Sequence, residues 1–345
     1  MTSAVRDAIA ALADRHDLSP GQAEAAMDEI MEGKATPAQV AAFLVALRMK
    51  GETVEEIAAC ARVMRRKATP VRTRHPVTAD TCGTGGDGRG TANVSTLAAL
   101  AVAAAGLPVA KHGNRSVSSR CGSADLLEAL GLRLDISADA LGNCLDACGF
   151  AFLFAPALHP AMKHAIGPRR EIGLRTIFNL LGPLTNPAGA SVQIVGVYRP
   201  ELTEPIAGVL HRLGVPRAMV VHGADGLDEL STTGPNRVTT VEDGRPVTRT
   251  LSAADAGLPG ARLEDLVGGD PAENVRIARD VLGGKPGPVR DVVLLNAGAL
   301  LHLAGKAPDL RAAVRLAAQA VDSGAAGRLL EDVAKFTQAN GPAAG

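Results

Sequence analysis

From Val77 onward, short apolar runs alternate with helical patterns, and that order permits few folds. The runs occupy residues 77–81, 109–111, 151–154, 193–197 and 218–222. Each is too short for a stable helix, and the stretches between them are long enough for crossover helices. The pattern therefore predicts an α/β fold with a mostly parallel sheet flanked by helices. In open sheets of this kind, ligands gather beyond the carboxyl ends of the strands. Residues 235–265 read as an excursion of short strands and turns. After Asp270 the pattern is helical, with Leu294-Leu295-Asn296-Ala297 on one buried helix.

The first 70 residues differ from the rest and read as four helices. Three open alike, at Ser19-Pro20-Gly21-Gln22, Thr36-Pro37-Ala38-Gln39 and Thr53-Val54-Glu55-Glu56. Each places a hydroxyl at the N-cap and Gln or Glu three residues on, and two add proline at the first helical position. Gly33 and Gly51 end the first two of these helices. The expected organisation is a helical subdomain over 1–70, joined by helices from about 160–190, and an α/β domain over 71–345.

Three polar loops follow the first, second and fifth expected strands. The first is Gly83-Thr84-Gly85-Gly86-Asp87-Gly88-Arg89-Gly90, with five glycines in eight positions. Such a run bares backbone N–H groups that can turn on one anion, and the helix pattern from Asn93 adds more at its N-terminus. Residues 83–88 fit G-x-G-x-x-G, but the dinucleotide reading also needs an acid about 20 residues on. No Asp or Glu occurs between Arg89 and Ala124, and no Gly-Lys-Ser/Thr closes a Walker A loop. The second loop, Lys111-His112-Gly113-Asn114-Arg115-Ser116-Val117-Ser118-Ser119, is dominated by donors, as a polyanion site requires. The third, Asp225-Gly226-Leu227-Asp228-Glu229-Leu230, offers carboxylates suited to a hard cation such as Mg2+. Lys111 and Arg115 disfavour a cationic His112, so a neutral hydrogen-bonding role is expected for that ring.

These residues resemble the anthranilate phosphoribosyltransferase family. The likeness runs through Asp80-Thr81-Cys82-Gly83-Thr84-Gly85-Gly86-Asp87, Lys111 to Ser119, and Gly122-Ser123-Ala124-Asp125. It continues through Phe152-Leu153-Phe154-Ala155-Pro156 and His159-Pro160-Ala161-Met162. Its most specific part is Arg175-Thr176-Ile177-Phe178-Asn179-Leu180-Leu181-Gly182-Pro183-Leu184-Thr185-Asn186-Pro187, before His222-Gly223 and Asp228-Glu229. Order and spacing follow the family over roughly residues 5–340. Ala92 and Arg120-Cys121 depart from it, at positions that are not ligands in the family pattern.

The resemblance implies transfer of a phosphoribosyl group from phosphoribosyl diphosphate (PRPP) to anthranilate, with Mg2+ as cofactor, two ions per site. It implies PRPP contacts from Gly83, Gly86, Asp87, Thr91, Asn93, Val94, Ser95 and Thr96, and from Lys111, His112, Gly113, Asn114, Arg115, Ser116, Val117, Ser118, Ser119 and Ser123. It assigns anthranilate to Gly83, Asn114 and Arg169, and metal to Ser95, Asp228 and Glu229, with no residue acting as nucleophile or base. A homodimer is the implied assembly, and the apolar helix of residues 37–48 is the candidate surface. Two other readings stay open: a phosphorylase or nucleic-acid binder of the same fold, and a non-catalytic scaffold.

Composition narrows these. Lys and Arg total 36 against 36 for Asp and Glu, so no basic surplus favours nucleic acid or a membrane surface. No apolar run is long enough to span a bilayer, and charges at Arg6, Asp7, Asp14 and Arg15 are unlike a signal peptide. The five cysteines have no zinc-like spacing, and an odd count argues against a disulfide framework. A cytoplasmic protein is expected.

Overall fold

The structure is a computed structural model and describes residues 3–116 and 120–341. The chain opens with helices α1 (Ala4–Ala13), α2 (Pro20–Met31), α3 (Pro37–Lys50) and α4 (Val54–Lys67). Ser19, Thr36 and Thr53 each close a capping box with Gln22, Gln39 and Glu56, as the sequence predicts. Glu56 does more than cap. It is 0% exposed, and its carboxylate accepts from the N–H groups of Thr53 (2.8 Å) and Leu18 (2.9 Å) and from Lys50 Nζ (2.8 Å). One buried anion thus joins the α1–α2 connection, the end of α3 and the start of α4.

The α/β part follows as β1 (Ala79–Gly83), α5 (Val94–Ala104), β2 (Val109–Gly113), α6 (Ser123–Ala129), α7 (Ala138–Cys148), β3 (Phe150–Phe154) and α8 (Ala155–Leu158). Next come α9 (Lys163–Ile172), α10 (Phe178–Leu181), β4 (Val192–Gly196), α11 (Thr203–Arg212) and β5 (Arg217–His222). The hairpin β6 (Asn236–Glu242) and β7 (Arg245–Leu251) precedes α12 (Pro271–Leu282), α13 (Pro288–Leu303), α14 (Leu310–Asp322) and α15 (Ala325–Ala339). The sheet order is β3-β2-β1-β4-β5-β6-β7, parallel from β3 to β5 and antiparallel at the hairpin.

The first strand starts two residues later than the apolar run. Val77 is 44% exposed, and pairing begins where Ala79 meets Val109 and Val192. The register therefore carries Gly83, first residue of the glycine-rich loop, into the sheet beside Gly196. After β3 the chain crosses back over β1 to add β4 on its other side, so the order reverses between β1 and β4. That reversal opens a crevice at the strands' carboxyl ends. Helix α5 is apolar on all sides because β1 and β2 cover one side and α13, α14 and α15 another.

Helices α9 and α10 leave the sheet and pack on α2, α3 and α4. Their Ala165, Phe178 and Leu181 share one apolar core with Val5, Met27, Phe43 and Ile57. Because Glu56 holds three segments, Glu56→Ala should destabilise the protein by about 3 kcal/mol, as removing one partner of a buried ion pair does. A urea titration checks this: the midpoint should fall with an unchanged slope.

Candidate functional site

The glycine-rich loop leaves β1 and turns sharply at Gly85, Gly86, Gly88 and Gly90, with φ of +69°, +74°, +72° and +66°. Residues with a Cβ rarely adopt this backbone, which is why glycine recurs here. Thr84 N–H donates to the Gly196 carbonyl (2.9 Å), so the loop is tied to β4 across the crevice. At its far end Gly268 N–H donates to the Gly90 carbonyl (2.8 Å), and Thr91 bridges to Val267.

The loop after β5 closes over this one. Asp228 Oδ2 accepts from Gly85 N–H (2.6 Å), and Glu229 Oε1 accepts from Ser95 N–H (2.8 Å). Ser95 lies in the first turn of α5, whose N-cap Asn93 makes no side-chain cap. Glu229 therefore serves a helix N-terminus that its own cap residue leaves open. Close approach is built in: a methyl group on Gly83 would lie 2.1 Å from Asp228 Oδ2, and one on Gly196 would lie 1.5 Å from the Asp228 carbonyl. Burial first, then neighbouring carboxylates, raises the pKa of both acids; Asp87 adds to the repulsion on each. Such a pair gains from a cation.

Among the described residues no group of three His, Cys, Asp or Glu is arranged to hold a metal. The two carboxylates with the Ser95 hydroxyl, which also bonds Glu229, make an incomplete oxygen set. That set suits Mg2+, which usually takes one or two carboxylates and completes its shell with phosphate oxygens and water.

The second loop is less uniform than its sequence implies. Lys111 is buried in β2 and its Nζ donates to the Thr81 carbonyl (2.6 Å), so its charge lies beneath the glycine-rich loop. Gly113 ends β2, Asn114 and Ser116 follow it, and Ser123 Oγ donates to the Asn114 carbonyl (3.1 Å). Arg115 instead pairs with Glu128 (2.7 Å) and Asp125 (3.1 Å) on the α6 side. Val94 and Thr96 are buried in the first turn of α5. Arg169, in the last turn of α9, stacks on Phe178 (4.9 Å), and burial lowers its pKa. Val117, Ser118 and Ser119 lie outside the described residues.

Four buried residues to which the sequence reading gave no role at the site hold these loops. Asn274 donates to Asn93 Oδ1 (3.0 Å), while Asn93 Nδ2 donates to the Cys121 carbonyl (3.1 Å). That relay joins the α12 N-terminus, the start of α5 and the turn before α6. Asn296 accepts from Leu230 N–H (3.0 Å) and donates to the Leu230 carbonyl (2.8 Å), which fixes the chain just after Glu229. Asn186 bridges Asp80 (2.8 Å) and the Ala110 carbonyl (2.8 Å) under β1 and β2. Buried amides must be satisfied, so an Asn inside an apolar helix such as Asn296 is a readable signal. Asn274 has none, since its partner is 181 residues away.

The fourth is His159. Its ring lies 5.2 Å from that of His112. His112 Nδ1 faces the Gly182 carbonyl (3.1 Å), which makes Nδ1 the protonated nitrogen. His112 Nε2 and both His159 nitrogens find no partner among the described residues. Burial lowers the two pKa values, to about 3 for His112 and about 4 for His159. An unfolded histidine takes a proton below about 6.5 while these folded rings resist it. Stability from the pair is therefore intact above that pH and is lost as pH falls toward 4. Thermal unfolding from pH 7 to pH 4 should show a loss that is about 2 kcal/mol smaller in His159→Leu than in wild type.

Comparison with known proteins places this geometry. Residues 75–327 match the glycosyl transferase family a/b domain, and residues 6–68 match that family's helical bundle domain. A protein of Moorella thermoacetica named anthranilate phosphoribosyltransferase is 60% identical over 321 residues, covering 93% of this chain and 95% of its own. The crystal structure of the Thermus thermophilus anthranilate phosphoribosyltransferase superposes with a TM-score of 0.92 at 48% identity, over 98% of this chain and all of that one. The Saccharomyces cerevisiae anthranilate phosphoribosyltransferase, solved in complex with PRPP and Mg, gives 0.89 at 29% identity over 98% and 99% of the two chains. The yeast protein has also been solved with 4-fluoroanthranilate.

Proposed function

The chain belongs to the anthranilate phosphoribosyltransferase family, and from that premise we infer its reaction. It transfers the 5-phosphoribosyl group from PRPP to the amine of anthranilate, a step of tryptophan biosynthesis. The products are N-(5-phosphoribosyl)anthranilate and diphosphate, and the enzyme depends on Mg2+. The observation that carries the reading is the meeting of the glycine-rich loop, the α5 N-terminus and Asp228-Glu229 through two N–H···carboxylate bonds.

We propose that PRPP occupies the crevice between β1 and β4. Its diphosphate takes the backbone donors around Gly85, Gly86, Asp87, Asn93 and Ser95, of which Gly85 and Ser95 N–H are held by the carboxylates in the free protein. Gly113, Asn114 and Ser116, with Ser123, then face the ribose and 5-phosphate, and Lys111 adds charge from below. We assign two Mg2+ ions to the site: one carried by the diphosphate would meet the Ser95 hydroxyl, a second would be held by Asp228 and Glu229, and both would supply positive charge to the leaving diphosphate. Arg169 takes the planar carboxylate of anthranilate, for which a guanidinium is shaped, with Gly83 and Asn114 beside the amine.

An aromatic amine is neutral near pH 7, so its lone pair needs no base. As the N–C1 bond forms, the C1–O bond breaks, diphosphate takes the bonding pair, and the nitrogen releases one proton. The residues' work is alignment of the partners and stabilisation of charge on the leaving group. The buried neutral His112 fits this scheme as a hydrogen-bonding group, not a cation.

We further propose that helices 1–70 with residues of about 160–190 move as one unit that closes on anthranilate, supported by their common core. The α3 face, where Met49 is 68% exposed, is our choice for a homodimer contact. No helix among the described residues is long and apolar enough to cross a membrane, and five free thiols fit a reducing compartment, so we assign the cytoplasm.

Consumption of anthranilate fluorescence with PRPP and Mg2+ tests the reaction; no loss of signal would reject it. In that assay Arg169→Ala should raise KM for anthranilate on the order of tenfold, the worth of a charged hydrogen bond, and leave KM for PRPP near wild type. If Arg170→Ala behaves so instead, the arginine assignment is wrong. The Asp228→Ala/Glu229→Ala variant should lose turnover and need more Mg2+ for its residual rate. Wild-type turnover with an unshifted Mg2+ dependence would reduce the acidic pair to a structural turn.

A further inference from the structure

Arg175 lies between α9 and α10, in the segment that joins the helical unit to the sheet. Its Nη2 donates to the Gly86 carbonyl, and its guanidinium stacks on the Tyr198 ring at 4.2 Å. Its own carbonyl accepts from Arg48 Nη1 on α3. Tyr198 N–H in turn donates to Thr84 Oγ1 (3.2 Å), at the start of the glycine-rich loop. A cation is thus spent on a carbonyl and a ring at the sheet, with its backbone held by α3 of the helical unit.

We propose that Arg175 is a positioning residue that aims the glycine-rich loop at PRPP and ties that aim to the helical unit; the proposal rests on the PRPP reading above. The argument begins with the backbone. Gly85, Gly86, Gly88 and Gly90 all have positive φ, and glycine has many other conformations open to it. Something outside the loop must choose one. Thr84 and Gly85 are held by Gly196 and Asp228, and Gly90 by Gly268. Between those anchors Arg175 holds the Gly86 carbonyl. In a trans peptide the carbonyl and the following N–H point in opposite directions. By drawing the Gly86 carbonyl to one side, Arg175 turns the Asp87 N–H to the other and fixes a donor of the cradle without touching the substrate.

The fit is close. A methyl group on Gly86 would lie 2.8 Å from Arg175 Nη2, so the absence of a side chain there serves this contact as well as the turn. Lysine could not replace the arginine, since the stack on Tyr198 needs a planar cation. The link to Arg48 gives the device its second property. Motion of α3 relative to the sheet pulls on the Arg175 backbone, and hence on the Gly86–Asp87 peptide. Loop geometry and closure of the helical unit are therefore coupled through one residue.

The test is a double-mutant cycle on the full chain, read by steady-state kinetics in PRPP and in anthranilate. Arg175→Ala should raise KM for PRPP on the order of tenfold, with kcat at saturating PRPP within about threefold of wild type and KM for anthranilate unchanged. Arg48→Ala, at an exposed position, should raise KM for PRPP by about threefold alone and add nothing in the Arg175→Ala background, because residues acting through one path are not additive. A wild-type KM for PRPP in folded Arg175→Ala overturns the proposal, and so do single effects that multiply in the double variant. If Arg175→Ala does not fold, Arg48→Ala alone decides: an unchanged KM for PRPP overturns the coupling. An active wild type with these results leaves the reaction standing, whereas an inactive wild type rejects the reaction itself.

Discussion

Two N–H···carboxylate bonds organise this molecule. Asp228 and Glu229 hold the N–H groups of Gly85 and Ser95, and so join a loop after β5 to a loop after β1 across the middle of the sheet. Neither acid is at ease there. Burial pushes both toward protonation, and repulsion adds to it: from Asp87 on Asp228, and from Asp228 and Asp87 on Glu229. On the proposed reading, the free enzyme holds its phosphate donors with anions that a metal-bound diphosphate would relieve. This is the electrostatic logic of a site that binds charge on arrival, not of a stability element.

The rest of the fold keeps those two loops in register. The strand order reverses between β1 and β4, which places Gly83 and Gly196 side by side under Asp228. Only glycine fits at either position, because the Asp228 backbone and carboxylate occupy the space a Cβ would take. Asn296 then clamps Leu230 from α13, and Asn93, held by Asn274, reaches the Cys121 carbonyl just past the second loop. Buried amides do here what a longer strand pairing would do elsewhere: they satisfy backbone groups and fix direction at once.

Much of this was legible in residue order. Capping boxes announced α2, α3 and α4, and apolar runs announced the five parallel strands, because both signals are local. The glycine-rich loop announced itself by composition. Direction was harder to read. Lys111 looks like a phosphate ligand in sequence, yet its ammonium lies under Thr81; Arg115 looks the same and pairs with Glu128. Alternation along β2 and acids on α6 decide those outcomes, and neither is visible in the loop itself. The late start of β1 follows from pairing with β2 and β4, a nonlocal fact. Arg175 stood in the most specific stretch of sequence, but its partner Gly86 is 89 residues away.

The central claim is that carboxylates and diphosphate exchange the same backbone donors. A crystal structure of the wild-type chain with PRPP and Mg2+ measures this directly. The account predicts diphosphate oxygens at the N-terminus of α5, with the Gly85 and Ser95 N–H groups released from Asp228 and Glu229. Diphosphate bound elsewhere, or bound with both N–H···carboxylate bonds unchanged, would contradict it.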